Sequence, residues 1–124
     1  MMGGQSLETR LRASQHYNRG VIESCPAALV VTDPDLSITD VNEGAVSLTG
    51  YARKDLIGNP LGAHFALTSA AAAAVRRTFD TGAMAWLDLM LKPHSGGERA
   101  VAMSGSAFLD PNGARRGVFL AIAR

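Results

Sequence analysis

The stretch from Asp40 to Tyr51 constrains this chain more than any other. It reads as the end of a strand, a sharp turn, a short helix and a stop. Ile38 and Val41 supply the strand side. Asn42 is a good N-cap, because its side-chain oxygen can accept from the free backbone N–H groups of the next turn. Glu43 follows in the first turn, where the helix dipole favours negative charge. Ala45, Val46, Leu48 and Thr49 fill about two turns. Gly50 ends them, since glycine takes the left-handed conformation without a steric penalty. Arg53 to Pro60 repeats the pattern with one helical turn, then Gly58 and Pro60. Two very short helices directly after a strand are an uncommon order of elements.

The rest of the chain frames that stretch. Ser6 to about Glu23 reads as a helix capped by Ser6. Leu7, Leu11, Ser14, Tyr17 or Asn18, and Val21 recur at three- and four-residue steps, a narrow stripe broken by polar members. Two readings stay open: a lone helix lying on the domain, or half of a helix–helix dimer contact through Leu7, Leu11 and Val21. Ser24-Cys25-Pro26 breaks this helix. The division expected is an N-terminal helix over 1–23 and a folded domain over 24–124. Ala27 to Thr32 is a short apolar strand, Asp33 to Ser37 a turn, and Ile38 to Val41 the second arm of a hairpin. Leu61 to Thr68, with His64 and Phe65, is poorly patterned. Ser69 to Thr81 is the clearest helix, rich in alanine, with Thr68 or Ser69 as its cap, Val75 and Phe79 on one face and Gly82 as its stop. Three strands follow. In Trp86 to Lys92, Leu87, Leu89 and Leu91 share one face and Trp86, Asp88, Met90 and Lys92 the other. Arg99 to Leu109 is longer and built of small residues. Asp110-Pro111-Asn112-Gly113 is a turn before the last strand, Gly117 to Ala123. Two strands, short helices, a longer helix and three strands imply an α+β domain with an antiparallel sheet.

Composition narrows the function. The chain has 124 residues, 47% of them hydrophobic, enough for one real core. A net charge of +1 gives no electrostatic case for nucleic acid. The single cysteine, Cys25, allows no intrachain disulfide and no cysteine-based metal cluster. No apolar run spans a bilayer, and no secretory segment opens the chain. A cytoplasmic location is expected. An end at Arg124, just after an apolar strand, points to a piece of a longer protein. No phosphate-binding glycine loop, metal-binding histidine pair or nucleophile elbow is present, so the segment is not expected to be an enzyme. His16, His64 and His94 fall in three different elements and read as ordinary surface or partly buried imidazoles. Arg76-Arg77 and Arg115-Arg116 read as solvated faces, and Asp88 with Lys92 as a surface pair.

Taken together, the pieces resemble a PAS domain, the sensory box of signalling proteins. The resemblance rests on Val21 to Ser24 leading to Val30-Val31-Thr32-Asp33, on Ile38 to Glu43, on Leu48-Thr49-Gly50-Tyr51 and on Asp55 to Gly58. Phe79 with Thr81-Gly82, the turn Asp110 to Gly113 and Gly117-Val118-Phe119 complete it. It runs from about Tyr17 to Arg124 and is most like the PAS boxes of bacterial hybrid sensor histidine kinases. It implies a five-stranded antiparallel sheet in spatial order 2-1-5-4-3, with the short helices and the longer one closing a cavity on one face.

The resemblance also bears on cofactors. Flavin photosensors of the family carry a reactive cysteine after the second short helix; Gly58 to Phe65 has none, which argues against covalent flavin. Hydroxycinnamate-linked members attach their chromophore to a cysteine in the middle of the fold, where Cys25 does not lie. Haem-binding members use a histidine on the longer helix, and Ser69 to Thr81 has none. Noncovalent FAD is a weak option, because Trp86 lies opposite the leucines that would face the cavity. The ligand-facing residues expected are Val41, Leu48, Leu61, Phe65, Val75, Phe79, Leu87, Leu89, Met103 and Phe119, with Asn42 and Gly50 as structural corner. The function implied is a regulatory input domain of a bacterial signalling protein, a sensor histidine kinase by analogy. It would bind a small ligand or a partner domain and relay its state to an output domain outside this sequence. The alternative is a ligand-free module for dimerisation in a diguanylate cyclase or transcription regulator.

Overall fold

The structure, a computed structural model, describes residues 19–109 and 112–123. The expected helix from Ser6 lies outside the described residues up to residue 18, and Leu7 and Leu11 lie outside with it. Helix α1 is described over Arg19–Ser24. β1 (Ala28–Thr32) and β2 (Ile38–Val41) form the hairpin. α2 (Glu43–Thr49) and α3 (Arg53–Leu56) follow, then a 3-10 turn (Leu61–Ala63), β3 (Phe65–Ala66) and α4 (Ser69–Thr81). β4 (Ala83–Leu91), β5 (Arg99–Leu109) and β6 (Arg115–Ala123) complete the sheet.

The sheet is antiparallel with order β2-β1-β6-β5-β4-β3. It has six strands rather than the expected five. The extra one is Phe65–Ala66, which pairs with Leu91 and Met90 at the β4 edge. Two residues are too few to show an alternation, so this strand has no sequence signature. Without it the order of the other five is the expected 2-1-5-4-3.

Both faces of the sheet are covered at β1 and β6. β1 is buried along its whole length, as a continuous Leu-Val-Val run requires when neither side meets water. Val30, Val118, Leu120 and Ile122 face an inner core closed by the helices, with Ile38, Leu48, Leu56, Leu61, Phe65 and Val75. Leu29, Val31, Phe108, Phe119 and Ala121 form a second cluster with Ile22 of α1. Phe119 therefore does not join the expected ligand-facing set. Successive β6 residues point to opposite faces, and Phe119 stacks on Phe108 at 4.9 Å under α1.

The long helix is punctuated as its residues predict. Thr68 accepts from the Ala71 N–H at 3.0 Å, and Gly82 ends α4 at φ 94°. Arg115 is exposed, as expected, but it is also tied down: its guanidinium donates to the carbonyls of Phe79 and Asp80 at the end of α4. No described helix is long and apolar enough to cross a membrane.

Candidate functional site

Asn42 is the junction on which the helical wall hangs. Its extended backbone (φ −100°, ψ 175°) carries the chain from β2 into α2. Its main-chain N–H donates to the Leu29 carbonyl at 3.1 Å. Its Oδ1 accepts from the N–H of Ala45 at 2.9 Å, the cap, and from the N–H of Leu29 at 2.9 Å. Its Nδ2 reaches the carbonyls of Ile22 (3.2 Å), Cys25 (3.3 Å) and Ala27 (2.8 Å). One buried amide thus ties α1, the link to β1, β1 itself and α2. At the far end of α2, Gly50 takes the left-handed conformation (φ 76°) and donates to Val46.

Arg53 of α3 fastens the same corner from outside. Its guanidinium donates to Asp40 at 3.0 Å and to the Val41 carbonyl, and pairs with Glu23 of α1 at 3.1 Å. The other Glu23 oxygen accepts from the Glu43 N–H at 3.3 Å. Both partners of the Glu23 pair are partly exposed, so its net energy is small. Its geometric effect is to link the end of α1 to the wall.

Of the ten expected ligand-facing residues, Val41, Leu48, Leu61, Phe65, Val75, Leu89 and Met103 share the inner core, with Phe79 and Leu87 packed half-buried against it. Phe119 is on the other face. Trp86 is 52% exposed. Two open clefts lie elsewhere. One, about 400 Å³, is lined by Thr81, Gly82, Ala83, Ser106, Ala107, Leu109 and Arg115. The other, about 550 Å³, runs along β4 and β5 past Asp88, Met90, Ala100 and Ala102, and touches Leu89. Among the described residues no group of three or more His, Cys, Asp and Glu side chains is placed to hold a metal.

The side chain that pattern reading missed is His64. It is 5% exposed, between the 3-10 turn and β3. Neither ring nitrogen has a hydrogen-bond partner. Tyr51 meets the imidazole edge-on, with ring centroids 4.6 Å apart, and meets His94 at 5.0 Å. Burial pushes the His64 pKa below its ordinary 6.5, and the positive charge of Lys92 pushes in the same direction. The segment lacks any periodicity that would have marked an inward imidazole.

The family model described as PAS fold matches residues 22–123. A PAS domain of a protein from Colwellia psychrerythraea superposes with a TM-score of 0.72 at 20% identity, covering 84% of this chain and 90% of its own. A PAS domain from a two-component sensor histidine kinase gives 0.67 at 16% identity, covering 94% and 97%. A domain of a sensory box sensor histidine kinase/response regulator from Geobacter sulfurreducens gives 0.65 at 22% identity, covering 98% and 99%. None of the curated proteins matches. The sheet order, the helical wall hung on Asn42 and the family match over most of its length establish that this chain belongs to the PAS-domain family of sensory modules.

Proposed function

We propose that this chain is the input domain of a bacterial sensor histidine kinase, holding a small molecule between sheet and helices and relaying its state to an output domain outside this sequence. The observation that carries the relay is the shared corner. Asn42 and Arg53 bind α1, β1, β2 and the helical wall to one another. A guest that displaces α2 or α3 must therefore alter how α1 is held. A ligand works here by binding one arrangement better than the other, which shifts their populations. The test is methyl and amide NMR during a small-molecule screen. A binder that shifts the signals of Val75 and Met103 should also shift the amides of Ile22 to Ser24. A binder that moves the core methyls and leaves α1 untouched contradicts the relay.

A second reading, a ligand-free dimerisation module, is favoured by the packing of the inner core, where Val41, Leu61, Phe65, Val75 and Met103 are fully buried against one another. Both readings use the N-terminal helix as a homodimer contact. Leu11→Glu puts a charge into that stripe and should convert a dimer into a monomer by light scattering. An unchanged dimer would place the contact elsewhere.

A further inference from the structure

His64 is a buried hydrogen-bonding group with nothing to bond. Its main chain is committed, donating to the Leu61 carbonyl at 3.1 Å and accepting from the Lys92 N–H at 2.8 Å. Its ring is placed by shape alone, against Tyr51. A neutral imidazole offers one donor and one acceptor. Both stay unmet here, which is rare for buried polar atoms and calls for a specific cause. Thr32 Oγ1 shares this condition, within β1. Beside His64, the Lys92 ammonium donates to the Gly62 carbonyl at 3.2 Å and makes no ion pair among the described residues. Leu61, Phe65 and Leu91 around this point are fully buried and apolar. A group that fits has a hydrogen-bond acceptor of negative charge and a short apolar body. A cation would meet Lys92 unfavourably, and a large polar body would meet aliphatic side chains.

We propose that His64 anchors a ligand subsite for a short aliphatic monocarboxylate, whose carboxylate accepts from the imidazole beside Lys92 while its hydrocarbon end lies against the inner core. The proposal rests on the ligand-binding reading above and names its chemical class. It also fixes a sign. Among the described residues, the titratable groups placed against the ring are Tyr51 after α2, which in turn meets His94, and Lys92 after β4; neither is a carboxylate. Without a guest the imidazole resists protonation. With a carboxylate against it, protonation is favoured. Binding therefore takes up a proton, and affinity rises as pH falls.

The experiment titrates the 124-residue chain, with histidine ring carbons labelled, against butyrate, butyramide and butylammonium at pH 6 and pH 8. Butyrate is expected to move the His64 ring signal, to bind about tenfold tighter than butyramide, as a charge-assisted bond does, and to bind tighter at pH 6. His64→Phe keeps a ring against Tyr51 and removes the unmet nitrogens. It should melt at the same or a higher temperature and lose at least about tenfold in butyrate affinity. Lys92→Met should weaken butyrate and leave butyramide unchanged. Equal binding of butyrate and butyramide overturns the carboxylate class. Butyrate that shifts the Val75 and Met103 methyls but not His64 overturns the anchor and leaves the sensory reading standing. A chain in which no probe moves either set, while a wider screen finds an inner-core binder, also overturns the anchor alone. If the wider screen is silent too, the ligand-binding reading falls with it.

Discussion

Asn42→Ala is expected to destabilise the chain by about 4 kcal/mol, close to the whole stability of a small domain. Three losses add. The helix cap on Ala45 is worth about 1 kcal/mol. The Leu29 N–H, in a residue with no exposure, loses its acceptor and stays dry, at about 1–3 kcal/mol. The carbonyls of Ile22, Cys25 and Ala27 lose a common donor. Asn42→Asp separates these terms. Asparagine and aspartate cap helices about equally well, so a cap alone predicts almost no loss. Aspartate, however, turns an oxygen toward three carbonyls and buries a charge. A loss as large as that of the alanine variant is therefore expected. Urea unfolding measures both. An alanine variant within about 1 kcal/mol of the parent would show that water or a small shift replaces the amide.

Gly117→Ala should cost about 3 kcal/mol or more, although it adds one methyl group to a strand. The added carbon would lie 2.1 Å from the Thr32 carbonyl oxygen and 2.8 and 2.9 Å from the Phe108 ring. The ring can turn only by breaking its stack on Phe119. The oxygen cannot move without β1, whose Thr32 is paired to Val118. Gly105→Ala is the comparison: there the nearest atom is a side-chain methyl of Leu120 at 3.1 Å, which has to give by only about a few tenths of an ångström, and a milder loss is expected. A double variant with Phe108→Leu tests the cause. It should not restore stability, because the closest contact is to main chain. Recovery to the parent melting temperature would shift the blame to the ring.

These two residues differ in how far a reader of the sequence can go. Asn42 announces itself as a cap, because the group it satisfies at Ala45 is three positions away. Its other partners, twenty residues back at Ile22 and thirteen back at Leu29, leave no mark nearby. Gly117 looks like any glycine in a strand until Thr32 and Phe108 are placed beside it. The candidate site divides the same way. The leucines of β4 declare a common face through alternation, and Leu89 and Leu91 are buried together. Phe119 could not be assigned, because both faces of β6 are apolar and alternation then points nowhere. His64 could not be seen at all, since a 3-10 turn and a two-residue strand carry no period.

Apart from the 3-10 turn and β3, the order of elements follows from the amino-acid sequence by itself, as do the cap at Asn42, the cap of α4 to within Thr68 or Ser69, and the glycine stops at Gly50 and Gly82. They are contacts within about one helical turn, made by neighbours in the chain wherever the chain goes. The face that Phe119 takes, the unmet imidazole of His64, the bond from Arg115 back to the end of α4 and the closeness of β1 to Gly117 were decided only by the tertiary structure. Each depends on which segments lie side by side once the sheet has closed, and that is a property of the whole packing rather than of any stretch within it.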